Sequence, residues 1–242
     1  MKNKLTTFLC NTGWYLLPFA IFWLSAGLYL KQYGERNSFL LFNAFHRKVF
    51  DHPVLWLTEI SGGYIIISIF VLIYARSRPA EALFAAILVF VIWYATITVK
   101  YNHFADWKNP AVVFGDSSIH VLGSQQVQPE LNFPSSQAAV ITGLFLFIAW
   151  LHRHARAAMI LAAITAMVLI YTRIYAGWAF LGDMLSGSIL GIFISIPMIT
   201  WFLPKTQTWY ERRNEWWQKM LVAILRAAAI CTLLVNLKYA VL

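Results

Sequence analysis

The chain has 242 residues, of which 60% are hydrophobic and only 12% are charged. In a soluble domain about a quarter of the residues are charged, so this composition excludes a soluble globular protein and indicates an integral membrane protein. The net charge is +9, but the basic residues flank long apolar runs. Membrane topology and anionic lipid explain that pattern better than nucleic acid does, so we expect no nucleic-acid partner.

Seven apolar runs organise the chain. Six of them predict an all-α transmembrane bundle, and the seventh, which contains Arg226, predicts an additional C-terminal helix that we expect to span. The first run lacks a small-residue cleavage site and is expected to be an anchor rather than a signal peptide. We predict a single domain, 1–242, with a core at about 54–203 and an extension at about 204–242. The runs are 13–30, 54–75, 82–99, 134–151, 157–171, 184–203 and 220–242.

Two segments between these runs are predicted to lie on the membrane surface. The loop 31–53 contains a stretch, 38–50, whose mixed composition predicts an amphipathic interfacial helix. The segment 205–219 is basic and rich in tryptophan, which is typical of an interfacial anchor. Within the second run, the pair Gly62–Gly63 predicts either close helix packing or a local bend.

The distribution of basic residues predicts the orientation. With a cytoplasmic N-terminus, ten Lys and Arg residues fall inside and seven outside. The inside residues cluster in the short turns after the second, fourth and sixth runs, as the positive-inside rule requires. Such short basic turns favour a bacterial inner membrane. The long loop 100–133 and the stretch 172–183 then share the non-cytoplasmic side.

Three polar segments meet at that outer face: 100–110, 133–138 and 172–183. Proline and serines at the start of a helix leave backbone N–H groups free, which makes a ready anion site. Arg173 can add a bidentate phosphate contact and Lys100 a point charge. Because the site opens beside acyl chains, a phosphorylated membrane lipid is the expected ligand. The alternative is that Arg173 snorkels to the interface and that Asp183 only caps the next helix.

In order and placement, these segments resemble the type 2 phosphatidic acid phosphatase (PAP2) superfamily, in its bacterial membrane branch. The family pattern is Lys-x6-Arg-Pro, then Pro-Ser-Gly-His, then Ser-Arg-x5-His-x3-Asp. The resemblance implies that the Lys and the two Arg side chains bind phosphate. It implies that the third-motif His attacks phosphorus while the Asp orients it, and that the second-motif His is the general acid. The retained positions are Pro110, Pro134, Ser135, Arg173 and Asp183.

The departures from this pattern fall on the catalytic groups. Ala179 stands at the nucleophile position, and alanine has no lone pair with which to attack phosphorus. Gln137 stands at the general-acid position, where glutamine can donate a hydrogen bond but releases no proton near neutral pH. In the first motif Asn109 replaces the Arg, and Lys100 lies two residues out of register from the expected Lys position at Asn102. The remaining residues expected at the phosphate are Lys108, Ser136 and Gln137.

Other residues can be considered as replacements for the missing histidines. His103 and His120 lie in the outer loop and are possible stand-ins, although a loop histidine near lipid head groups is more often solvated. Asp116 and Glu130 share that loop, either as surface carboxylates or as cation ligands. No ligand spacing supports a metal site, and no cofactor is expected.

Three functions remain open from the sequence. The first is a pseudophosphatase that binds a phosphorylated lipid head group without efficient hydrolysis. The second is an active lipid phosphatase or phosphotransferase, acting on a phospholipid, lipid A or polyprenyl phosphate through a rebuilt site. The third is a structural membrane protein that binds partner chains through its tryptophan-rich segment, 209–217. The oligomeric state is left open.

Overall fold

A computed structural model describes residues 2–104, 106–115, 119–123 and 132–241 of the chain, and the described part contains helices and no strands. This confirms the all-α prediction. A π-helical turn, Met198–Phe202, joins α8 to α9. The helices are α1 Lys2–Ala44, α2 Lys48–Ile60, α3 Gly63–Tyr74, α4 Pro79–His103, α5 Pro110–Phe114, α6 Ser136–Leu151, α7 Arg156–Tyr175, α8 Leu181–Pro197, α9 Leu203–Glu211 and α10 Glu215–Val241.

Five helical stretches in the described part of the chain are long and apolar enough to cross a bilayer. A sixth span results if the bent pair α2 and α3 is counted as one, and α6 is a shorter apolar helix. Because several apolar helices pass this test, the chain is a multi-pass membrane protein, as its composition predicts.

The centre of the bundle is α6, which packs against α4, α7 and α8. Its approach to α8 is close because α8 presents glycines. A Cβ at Gly187 would collide with the backbone oxygen of Ser135, and a Cβ at Gly191 would collide with that of Ala139. Small residues at a helix interface allow such contact in membranes. The glycines therefore fix the start of α6 against the start of α8.

The first helix is longer than predicted, and residues 38–50 do not form one helix. Non-helical backbone at Gly34 (φ +74°, ψ 173°) divides α1 into two helical parts, of which the second ends at Ala44. Its last turns belong to the bundle because Ser38 and Phe39 are fully buried. Residues 48–50 instead begin α2.

The predicted bend at the glycine pair is confirmed. The axes of α2 and α3 differ by 72°, and Gly62 adopts an extended conformation between them (φ −52°, ψ 133°). The predicted span 54–75 is thus two short helices, and α3 has only 12 residues. This break brings the last turn of α2 to the start of α6 and the end of α7.

The C-terminal part is more helical than predicted. Within the predicted surface segment 205–219, α9 follows α8 through the π-helical turn and ends at Glu211, and α10 begins at Glu215. The side chains of Trp209, Trp216 and Trp217 are exposed, as expected of residues that face lipid or the interface. The helix α10 packs along α3.

Candidate functional site

The start of α6 is joined directly to the start of α8. Ser135 is the N-cap of α6, and its hydroxyl accepts a hydrogen bond from the Ala138 N–H at 3.2 Å. The Ser135 N–H donates to the backbone oxygen of Asp183 at 3.0 Å. The Pro-Ser segment therefore forms a capped helix start, as the sequence predicts, and Asp183 is anchored beside it.

Arg173 lies in the last turn of α7 and faces the start of α6. Its guanidinium donates a hydrogen bond to the side-chain oxygen of Gln137 and lies over the ring of Trp178, 5.4 Å from the ring centroid. The Nε of Arg173 is buried and has no hydrogen-bond partner among the described residues. Because Gln137 and Trp178 hold the guanidinium inside the bundle, it suits an anionic ligand better than a snorkelling role.

Gln137 connects Arg173 to the bend between α2 and α3. Its amide nitrogen donates to the Thr58 backbone oxygen at 3.1 Å and to the Ser61 hydroxyl. Both ends of the amide are therefore used, one as acceptor and one as donor. Where the family pattern has a proton-donating histidine, this chain has a neutral glutamine that links α6 to α2 and α7.

Asp183 is fully buried in the first turn of α8. One carboxylate oxygen accepts a hydrogen bond from the Phe180 N–H at 2.9 Å, which caps the helix. The side chain of Glu35 caps the same turn by accepting from the Gly182 N–H at 2.8 Å. Capping by Asp183, weighed above as the alternative, is therefore present in the structure, since carboxylates stabilise helix N-termini.

A cavity of about 740 Å³ lies between the α2–α3 bend, the start of α6 and the ends of α4 and α7. Lys100, in the last turn of α4, lines it on the side opposite the bend. Five of the residues expected to bind phosphate share this lining, and their role in binding stays a prediction. They are Lys100, Ser135, Ser136, Gln137 and Arg173.

The opposite half of the same cavity is apolar. It is lined by residues of α3 and α4 and by Asn236 of α10. Phe90 and Trp93 in this half are exposed, so the cavity continues to the lipid-facing surface. Its apolar lining includes Ile65, Ile67, Val89, Phe90, Trp93 and Val140. A polar end joined to an apolar, laterally open end matches the two parts of a lipid.

The remaining predicted site residues lie elsewhere. Lys108 is exposed and is not in the cavity lining, and His103 is exposed beside Phe104. Ala179 is fully buried in the core. Asp116 and Glu130 lie outside the described residues.

His120 belongs to a different cluster. Its Nε2 is 3.0 Å from the Asp51 carboxylate, and its ring stacks on His46 with the centroids 3.9 Å apart. The Tyr175 hydroxyl donates to the same carboxylate at 2.8 Å. Among the hydrogen bonds of the described residues, none joins His103 or His120 to Arg173 or Ser135. Neither histidine is therefore in place to act at the cavity.

Sequence reasoning missed the contribution of the bend. Thr58, Glu59 and Tyr64 line the cavity, although the family pattern does not include that region. The signal in the sequence was the pair Gly62–Gly63. A bend there, at the depth of the other polar segments, brings the side chains on either side of the glycines towards those segments. Within the described residues, no group of three His, Cys, Asp or Glu could hold a metal ion.

The chain was compared with known protein families and solved structures. Residues 109–207 match the family model of the PAP2 superfamily. A crystal structure of LpxE from Aquifex aeolicus is similar with a TM-score of 0.57 and 20% identity, over 67% of this chain and 93% of that one. A PAP2 type phosphatidylglycerolphosphate phosphatase from Bacillus subtilis has a TM-score of 0.47 and 15% identity, over 84% and 98% of the chains.

None of the curated proteins compared with the chain matches it. The matched segment contains the starts of α6 and α8 and the end of α7, which are the elements that build the polar end of the cavity. The chain is therefore a multi-pass membrane protein whose segment 109–207 matches the PAP2 superfamily and whose fold is similar to that of LpxE.

Proposed function

We propose that this protein binds a phosphorylated lipid head group at the non-cytoplasmic face of the membrane and hydrolyses it poorly or not at all. One observation carries the proposal: Arg173 and Lys100 line a cavity that continues into an apolar groove, while the nucleophile position, Ala179, is a buried methyl group. Two cations at the polar end attract phosphate, and the groove accommodates acyl chains. We further propose a bacterial inner membrane and a cytoplasmic N-terminus, from the basic turns.

Binding is tested with the Arg173→Ala variant. Because the positively charged side chain of Arg173 lines the cavity, its loss is expected to weaken binding of short-chain phosphatidic acid about tenfold or more. Titration calorimetry in detergent measures this directly. Arg213→Ala is the matched control, because Arg213 also lies on a tryptophan ring, Trp209, but near the other end of the molecule. Equal affinity in the parent and in Arg173→Ala would remove the basis of the proposal.

Hydrolysis is tested by phosphate release from phosphatidic acid and from a polyprenyl phosphate. The parent is expected to release none above background, because a missing covalent nucleophile costs several orders of magnitude in rate. A double variant, Gln137→His with Ala179→His, asks whether the retained frame can be reactivated. Turnover by the parent at ordinary enzyme rates would favour a rebuilt active site instead.

The double variant needs a stability control. Ala179 has no exposed surface, so an imidazole there must displace neighbouring side chains, which typically costs about 1–3 kcal/mol. Thermal unfolding in the same detergent shows whether the variant is folded. If a folded double variant is silent and the parent also fails to bind phosphatidic acid, partner binding through the exposed tryptophans becomes the favoured function.

A further inference from the structure

The polar end of the cavity contains a carboxylate that a phosphate site does not need. Glu59, in the last turn of α2, lines the cavity and is half-buried. Among the described residues its carboxylate has no hydrogen bond and no ion pair, since the ion pairs found there involve Asp51 and Glu215. A half-buried carboxylate without a partner favours a nearby cation.

Glu59 lines the same cavity as Arg173 and Lys100 but does not contact them. Arg173 donates to Gln137, which donates to the backbone oxygen of Thr58, the residue before Glu59. The Gln137 side chain and the Thr58–Glu59 peptide unit therefore lie between the Arg173 guanidinium and Glu59. The carboxylate whose charge acts on both Arg173 and Lys100 is that of Asp183.

An aromatic side chain, Tyr64, lines the same cavity as Glu59. A Cβ built on Gly62 would lie 3.1 Å from the Glu59 backbone oxygen and 3.7 Å from the ring carbon Cε2 of Tyr64. The glycine thus leaves room for the Tyr64 ring beside the last turn of α2. A carboxylate and an aromatic ring in one cavity are a typical setting for an ammonium group.

We propose that the head group held in this cavity is zwitterionic, with its phosphate at Arg173 and Lys100 and its ammonium at Glu59. This rests on the proposed function, because it assigns a second half to the same site. A doubly anionic head group satisfies the two cations but is repelled by Glu59. A phosphoethanolamine head group carries its two charges a few bonds apart, and it pairs with both sets of residues while leaving no charge unmatched.

The test compares two short-chain lipids, dihexanoyl phosphatidylethanolamine and dihexanoyl phosphatidic acid, by titration into the purified full chain in detergent. Glu59→Gln keeps the shape and removes the charge. It is expected to weaken binding of the phosphatidylethanolamine about tenfold and to leave that of the phosphatidic acid unchanged or stronger. Glu59→Lys is expected to reverse the preference of the parent.

A matched control is available at Glu215, an exposed carboxylate paired with Lys219 at 3.0 Å near the other end of the molecule. Glu215→Gln is expected to change neither affinity. If Glu59→Gln affects both lipids equally or neither, while Arg173→Ala loses both, the zwitterionic assignment is wrong and the phosphate site stands. If Arg173→Ala retains both lipids, the phosphate site is wrong and the assignment fails with it.

Discussion

Gln137 shows how one residue changes the character of the site. A histidine at this position of the family pattern is implied to donate a proton, whereas the amide here spends its oxygen on Arg173 and its nitrogen on Thr58 and Ser61. It orients the guanidinium without adding charge. The positive charge of Arg173 therefore stays available to a ligand.

The first prediction concerns that charge. Gln137→Glu keeps the shape of the side chain but places a carboxylate on Arg173, which would compete with a bound phosphate. Binding of phosphatidic acid is expected to weaken about tenfold or more, as for other oppositely charged contacts at a ligand site. Titration in detergent is the measurement.

Gln32→Glu provides the control for added negative charge, because Gln32 is exposed on the outer half of α1. This variant is expected to bind as the parent does. If both variants bind phosphatidic acid with the parent's affinity, the Arg173–Gln137 contact has no part in recognition.

At the scale of elements, the packing of α8 on α6 sets the geometry of the polar end. Ser135 and Asp183 are neighbours because Gly187, one turn further along α8, has no side chain to keep the helices apart. The surrounding Ala138 and Ala139 are fully buried. The small residues thus contribute to the site by allowing the two helices to approach closely and not by reacting with a ligand.

The second prediction follows from this contact. Gly187→Ala would place a methyl group against the Ser135 backbone oxygen and 3.2 Å from the Ala138 side chain. Since backbone cannot move aside easily, we expect a loss of stability of about 1–3 kcal/mol, as for other overpacked sites, together with weaker lipid binding. Thermal unfolding and titration measure the two effects.

Gly27→Ala is the matched control, since a Cβ at Gly27 in α1 meets nothing within 4 Å. Replacing a glycine by alanine in a helix interior usually stabilises by roughly 0.5–1 kcal/mol. Equal stability changes in the two variants would show that α6 and α8 can accommodate a methyl group at Gly187.

For the whole molecule, the third prediction concerns orientation. On a background with both native cysteines replaced, Lys108→Cys should react with a membrane-impermeant maleimide in intact cells, because Lys108 is exposed in the outer loop. Arg212→Cys, after α9, should react only once the membrane is permeabilised. The opposite pattern would invert the proposed topology.

Much of the fold could be predicted from the sequence because apolar runs and basic turns report directly on spans. The extension of α1 to Ala44 could not, since the polar residues of 31–37 obscure a helix whose following residues, Ser38 and Phe39, are buried against the bundle. Local patterns carry little information about such tertiary contacts.

The candidate site was predictable in part for the same reason. The motif positions pointed to Arg173 and to the start of α6, because spacing within a helix is local. The placement of Glu59 was not predictable from motifs, since it depends on a 72° bend whose angle no pattern encodes. The contacts of His120 could not be predicted because its partners are distant in sequence: Asp51 lies in α2 and His46 in the turn before α2.

The shortness of two helices has a consequence for the surrounding bilayer. With 16 residues, α6 is ~24 Å long at ~1.5 Å per residue, less than the ~30 Å of a typical hydrocarbon core. With 12 residues, α3 is shorter still. Because other helices surround α6, either its polar start lies below the head groups or the bilayer around the bundle is thinner there, so hydrophobic mismatch concentrates at the cavity mouth. Membrane thickness itself would then tune how readily a lipid leaves the leaflet for the cavity.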